Sequence, residues 1–410
     1  MTSALGEHFF RHEFGRLVAM LSRRAGVQHL ELVEDAVQVA LLAAVESWTR
    51  TFVPANPSAW LYRVAHNHLL GELRRRTRRD ELTGSLVEHS SSSIEEPAVL
   101  LSGDVPEAQL RMLFVCCDDS IAIESQLMLA LRTLCGFDIS EIAQRLFTSE
   151  TNVYKRLGRA RSRLRETRLV TDEMSTEQLA SRLPAVHAIL YTLFTEGYLS
   201  SHAEYAIRRE LCDEARRLTA LLAAHPVAAT PETFALLALM HLHIARMSAR
   251  QDGSGGLVLL EEQDRSQFDR EEIVQGLSWL ARSATGDVFS RYHAEAGIAA
   301  EHCLAPSFSE TRWDRIVECY ELLDRLAPSA IHTLNRALAV AECTNAAAGL
   351  AVIEGIEPPS WLTGSYLWSA VLADLNRRGG RNELAKSYRD TAIELAPSPA
   401  IAACLRRRLA

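Results

Sequence analysis

The chain has 410 residues, 48% apolar and 23% charged, with a formal net charge of −8. That length predicts two or three domains rather than one core, and the apolar content excludes a disordered chain. No apolar run reaches the roughly 18 residues of a membrane span, and Met1–Arg11 has no secretory apolar region, so a cytoplasmic protein without membrane contact is expected.

The eight cysteines are Cys116, Cys117, Cys135, Cys212, Cys303, Cys319, Cys343 and Cys404. None has C-x-x-C or zinc-finger spacing, which points to reduced, buried thiols. The net charge argues against a nucleic-acid partner, but its distribution argues for one. Residues 1–170 hold 21 bases and 21 acids, so the excess of −8 falls on the remainder. Within the neutral part, positive charge gathers at Arg74, Arg75, Arg76, Arg78 and Arg79, and again from Arg145 to Arg168. Local basic stripes, more than net charge, are the footprint of phosphate binding; a solvated helix face is the plainer alternative.

Taken in chain order, nearly everything reads as helix, and the fold class is all-α. Leu30, Val33, Val37, Leu41, Ala44 and Trp48 recur at three- and four-residue spacing. Pro54 breaks that pattern, and Asn56-Pro57 reads as an N-cap with proline at the first helical position, opening a helix to about Arg79. Residues 80–106, with four successive serines, two glycines and two prolines, read as a flexible linker. A second helical block spans 107–170. A third covers 175–410, where Ala327-Pro328 and Ala396-Pro397 close the apolar helices Ile316–Leu326 and Leu384–Leu395. Their separation is close to twice the 34-residue tetratricopeptide period, and Trp368, Leu372, Gly379, Ala385 and Ala392 loosely fill its positions. An irregular all-helical domain is the alternative.

The sharpest local signal runs from Phe137 to Arg165. Asp138 with Glu141 three residues on is a capping-box start. Ile139, Ile142, Ala143 and Leu146 face inward on a short helix, and a turn with Ser149 as cap follows. Val153, Leu157, Ala160 and Leu164 form the inner stripe of a longer helix. This is helix-turn-helix spacing, in which the second helix enters the major groove by its N-terminal residues. Those residues are Glu150, Thr151, Asn152, Tyr154, Lys155 and Arg156, with Arg159, Arg161 and Arg163 placed further along for phosphates.

Glu141-Ile142-Ala143, followed by Arg156-Leu157-x-Arg159-Ala160-Arg161-x-x-Leu164, resembles region four of extracytoplasmic-function sigma factors. Upstream, Glu34-Asp35-Ala36-Val37-Gln38 resembles the region-two helix that docks on RNA polymerase. Trp60 to Asn67 with the arginine run resembles the segment that melts and reads the minus-ten element. Leu110–Cys117, Leu193–Tyr198 and Leu257–Arg265 resemble the branch with a long, tetratricopeptide-like C-terminal domain. Val39 and Asp118 depart from that branch's usual residues.

The resemblance implies a region-two domain at 1–79, a region-four domain at 107–170 and a regulatory domain at 175–410. Core RNA polymerase and promoter DNA are the implied partners. Glu34, Asp35 and Gln38, expected on one open helix face, would touch polymerase. Trp60, Arg63, Asn67, His68, Arg74, Arg75 and Arg76 would serve the minus-ten element, with Asn67 at a pocket for a flipped base. Thr151, Asn152, Tyr154, Lys155, Arg156, Arg159 and Arg161 would serve the minus-thirty-five element. The acidic C-terminal part, with Glu261, Glu262, Asp264 and Asp269 after a glycine turn, is expected to contact the sigma modules in cis or an unknown protein partner. No P-loop, G-x-S-x-G or H-E-x-x-H occurs, and His66-x-His68 and His241-x-His243 point to different helix faces, so no catalysis, cofactor or metal is expected. A helix-turn-helix regulator without polymerase docking is the rival reading; the segment from Trp60 to Arg79 disfavours it.

Overall fold

Proline and glycine set the helix boundaries at the start of the chain, in a computed structural model that describes residues 3–48, 53–82, 105–146, 148–166, 174–199, 207–252, 256–397 and 399–409. Helix α1, Ser3–Ala25, stops at Gly26, whose φ of +86° is costly for other residues. A 3-10 turn at Val27–His29 leads into α2, Leu30–Trp48. Asn56 caps α3, Pro57–Leu82, its Oδ1 accepting from the Ala59 N–H at 3.0 Å, as the Asn-Pro pair predicts. The expected stripe on α2 is inward: Leu30, Val33, Val37 and Ala44 are buried. Buried Glu13 on α1 fastens α3 by accepting from the Ser58 hydroxyl at 2.9 Å.

The expected linker lies mostly outside the described residues. Its ends differ from expectation, since α3 continues through Leu82 and the next helix, α4, Val105–Cys116, begins before 107. Then follow α5, Ile123–Thr133, α6, Ile139–Arg145, α7, Glu150–Glu166, and α8, Thr176–Tyr198. Two compact units emerge, Met1–Leu193 and Phe194–Ala410, so their boundary falls inside α8 and not at the expected 170–175. The reason is Arg182. It is 4% exposed, donates to the Phe114 carbonyl at 3.1 Å and pairs with the Asp118 carboxylate, fixing the start of α8 to the first unit.

The second unit is built around α10, Pro231–Ala245, apolar on all sides and enclosed by α9, Arg209–Ala224, α11, Arg270–Ser283, and α12, Arg291–Leu304. Beyond it come α13, Trp313–Leu326, α14, Ala330–Cys343, α15, Ala346–Ile353, α16, Ser360–Thr363, α17, Tyr366–Arg378, α18, Asn382–Glu394, and α19, Pro399–Arg408. Short turns make hairpins of α13 with α14 and of α17 with α18. Leu334, Ala337, Ala341, Ile353, Leu362 and Leu375 form the core between α14 and α17. Trp368 and Leu372 fall on α17, Gly379 caps it, and Ala385 and Ala392 are on α18. Among the described residues there is no strand, only a bridge between Gln251 and Leu257, and no helix is long and apolar enough to cross a membrane.

In the C-terminal part the acidic side chains have local partners, and one expectation, for the thiols, is corrected. Asp264 and Asp269 cap local helices, and Glu262 accepts from the Leu259 N–H at 3.2 Å and from Arg407 at 3.1 Å, so most of the acidic stretch is engaged nearby. Not every thiol is buried: Cys343 is exposed, and Cys319 and Cys404 are half-buried.

Candidate nucleic-acid interface

Asp138 and Glu141 form a complete capping box at the start of α6, Asp138 accepting from the Glu141 N–H at 2.7 Å and Glu141 from the Asp138 N–H at 2.8 Å. Ser149 caps α7, accepting from the Asn152 N–H at 3.3 Å. The buried residues of α7 are Val153, Leu157, Ala160 and Leu164, the four that the spacing predicts. With this stripe turned inward, Thr151, Tyr154, Lys155 and Arg159 are left exposed along one outer face. Asn152 and Arg156 are half-buried at its edge. Arg156 pairs with Glu124 of α5 at 3.2 Å, and both border a cavity of about 370 Å³ walled by Leu127, Leu146, Ala185 and Ile189. The middle of α8 thus flanks the N-terminal part of α7.

Arg161 is placed differently from its neighbours. It turns away from the outer face and pairs with Glu34 of α2, a carboxylate only 3% exposed that also accepts from the Thr133 hydroxyl at 2.9 Å. Glu34 therefore does not share an open face with Asp35 and Gln38: Asp35 is exposed and Gln38 half-buried, while Glu34 is covered by α5 and α7. Successive helical residues are rotated by about 100°, and α5 and α7 cover the sector that Glu34 occupies.

The same seam continues at α1. Arg11 forks onto Glu141 at 3.1 and 2.9 Å and lies 5.2 Å from the Phe137 ring. Gly15 allows α1 to touch the end of α5, since a Cβ there would stand 1.9 Å from the Leu134 carbonyl oxygen. Arg165 approaches Glu31 at 3.7 Å. Three of these residues, Arg11, Gly15 and Thr133, carried no signal in the sequence, and Arg161 read only as a DNA contact, because each owes its role in the seam to a partner about a hundred residues away.

On α3, Arg63, Asn67, Arg74, Arg75 and Arg76 are exposed and His68 is half-buried. The exposed arginines are a cationic rail of the kind that phosphate binding requires. Arg75 is also paired with Glu72. Trp60 is half-buried against Trp48, ring centroids 5.5 Å apart, so it packs within its own module while keeping some exposure. His66 is kept neutral at pH 7 by burial and by the Arg24 charge, which push its pKa below the usual value.

A feature absent from the sequence reading is the outer face of α2. Val39, Leu42 and Val45 are 39%, 64% and 47% exposed and follow Asp35 and Gln38 at helical spacing. An open apolar stripe bordered by polar groups is typical of a protein-binding face. The three-residue recurrence of Val39, Leu42 and Val45 outside the buried stripe was the available signal.

Comparison with known proteins finds three matching families. Residues 9–79 match the family described as Sigma-70 region 2, residues 123–164 match Sigma-70, region 4, and residues 182–284 match a family of unknown function, DUF6596. An uncharacterised protein of Rhizobium meliloti (strain 1021), R00370, is 33% identical over 387 residues, which is 93% of this chain and 90% of that protein. No solved structure matches.

Proposed function

We infer the working parts of this chain from one premise: it belongs to the family of the Rhizobium meliloti protein R00370, and its region 2 and region 4 domains are those of an extracytoplasmic-function-type sigma factor for promoter-specific transcription. Asp35, Gln38 and the apolar stripe Val39, Leu42 and Val45 dock on core RNA polymerase. Trp60, Arg63, Asn67, His68 and Arg74 to Arg76 hold the minus-ten element. Thr151, Asn152, Tyr154, Lys155, Arg156 and Arg159 hold the minus-thirty-five element. No covalent chemistry is required: the protein lends sequence reading to an enzyme, and two readers on one chain gain avidity from their tether.

The observation that carries this reading is the outer face of α7, where four exposed polar and cationic side chains follow one another on a helix whose opposite face is fully buried. Arg161 and Glu34 enter it in a second way. Paired with each other, they close region two on region four, and promoter engagement opens that seam and frees Arg161 for phosphate. The C-terminal part sets this equilibrium, either in cis or through a protein partner held on its hairpins, which are read as tetratricopeptide-like. The placement of α8 beside Asn152 and Arg156 supports a route from that part to DNA reading.

The test is run-off transcription by purified core polymerase on pooled genomic fragments, with and without the full-length protein. Transcripts that appear only with the protein and share upstream sequence elements support the reading. Sequence-specific DNA binding without any new transcript, and without co-migration with core polymerase, would favour the helix-turn-helix regulator.

A further inference from the structure

Two stretches that carry the family resemblance have no part in promoter reading: the end of α8 at Phe194–Tyr198, and Leu257–Arg265. In the second unit they meet α10, the 3-10 turn at Met247–Arg250, and α12 around an unusual group of side chains. Arg246, 6% exposed, donates to Gln263 Oε1 at 3.0 Å. Arg265 donates to the carbonyls of His302 and Ala305 at 2.6 and 2.9 Å. Arg250 donates to the Tyr198 carbonyl at 2.5 Å and lies 3.6 Å from the centre of its ring. Arg246 and Arg265 share a wall, each about equally far from the Phe268 ring, at 5.9 and 5.8 Å.

All of these acceptors are neutral. Among the described residues none of the three arginines has an ion-pair partner, and the charges that act on Arg265, His243 and His302 are chiefly other members of the group. Burial, with the Arg246 and Arg265 charges, pushes His302 down to about 3. Burial, with Arg246, Arg250 and His302, pushes His243 well below its ordinary value. Both rings are therefore neutral, each with one N–H. Arg246 Nε, Arg265 Nη2, His243 Nδ1 and His302 Nδ1 are buried without a protein partner.

Buried cations are normally matched by carboxylates, because an unmatched charge away from water is costly. Here Arg246 is buried and Arg250 and Arg265 are half-buried, the Arg246 charge acts on both of the others, and Arg246 Nε and Arg265 Nη2 stay unused. Such an arrangement is stabilised by an oxyanion that accepts from several fixed donors at once, and the planar guanidinium suits phosphate. We propose that the cluster of Arg246, Arg250, Arg265, His243 and His302 binds a phosphate group, either free or carried by a small phosphorylated metabolite. The dianion matches the excess positive charge better than a monocarboxylate does. This assignment concerns the C-terminal part alone and stands whether or not that part regulates promoter reading.

The experiment is thermal unfolding of the full-length protein in phosphate-free buffer, titrated separately with inorganic phosphate and with ribose 5-phosphate against chloride at matched ionic strength. The expected result is a saturable rise in Tm in the millimolar range or below for at least one probe, lowered at least tenfold in affinity by Arg246→Met. A stronger response to the sugar phosphate assigns a phosphorylated metabolite, and equal responses assign free phosphate. Without phosphate, Arg246→Met is expected to be no less stable than wild type, since it relieves repulsion. Phosphorus NMR line broadening of each probe by the wild-type protein gives a reading that needs no variant, and Arg265→Met provides a second site. A rise no larger than the chloride control for both probes, with no line broadening, overturns the proposal. So does an equal rise in both variants.

Discussion

Arg182 in the first unit and Arg246 in the second are almost equally removed from water, at 4% and 6% exposure, yet only one of them faces a carboxylate. Arg182 lies against Asp118, whose other oxygen is held by the Ser120 N–H at 2.9 Å and by the Ser120 hydroxyl. The seam between α2 and α7 follows the same rule, with Glu34 serving Arg161 and Thr133. Arg246, Arg250 and Arg265 make hydrogen bonds only to neutral oxygens. At Arg182 buried charge is closed within the protein and serves architecture, as it is at Asp374 of the second unit, which pairs with Arg377 at 3.1 Å. At Arg246 no carboxylate answers the charge, and on that difference the proposed phosphate site rests. Burial alone does not separate these cases; the partner does.

The most severe way to break the comparison is to remove one member of a closed pair. Asp118→Ala leaves Arg182 buried without its counter-ion, at a cost of about 3–5 kcal/mol. Urea unfolding of the full-length protein followed by tryptophan fluorescence measures it. A loss under about 1 kcal/mol would show that Arg182 is hydrated and that the start of α8 is not fixed by this pair.

Gly15→Ala acts on shape alone. The added Cβ meets the Leu134 carbonyl, so α1 and the end of α5 must separate, at about 1–3 kcal/mol. Tm and hydrogen exchange at α1 and α5 report it. Unchanged protection at both helices would show that the seam is looser than described. The smallest effect on stability is expected at the open face: Lys155→Ala leaves the unfolding free energy unchanged within about 0.5 kcal/mol. If Lys155 reads a base, binding falls by about 1–3 kcal/mol at the preferred promoter only. A loss spread evenly over all sequences assigns Lys155 to phosphate instead.

The helix-turn-helix was legible because its determinants are local. Asp138 and Glu141 are three residues apart, and the four buried residues of α7 repeat every three or four positions. Asn56 and Pro57 marked the start of α3 for the same reason. Glu34 was misplaced because a helical repeat shows which residues share a face but not what covers that face. Its partners, Thr133 and Arg161, are 99 and 127 residues away. The cationic cluster was hidden still more deeply. Tyr198, Arg246, the Gln263–Arg265 stretch and His302 lie on four separate segments, and an arginine in sequence reads as a solvated residue until its surroundings are known.

Strand opening tests the central claim most directly. Permanganate oxidises unpaired thymines, so it can be applied to a genomic fragment selected by the full-length protein together with core polymerase. The account predicts a short cluster of reactive thymines when protein and polymerase are both present, and none with either alone. Duplex that stays unreactive with both present, while the protein alone still occupies a specific site on it, would contradict the assignment of α3 as a melting and minus-ten reader.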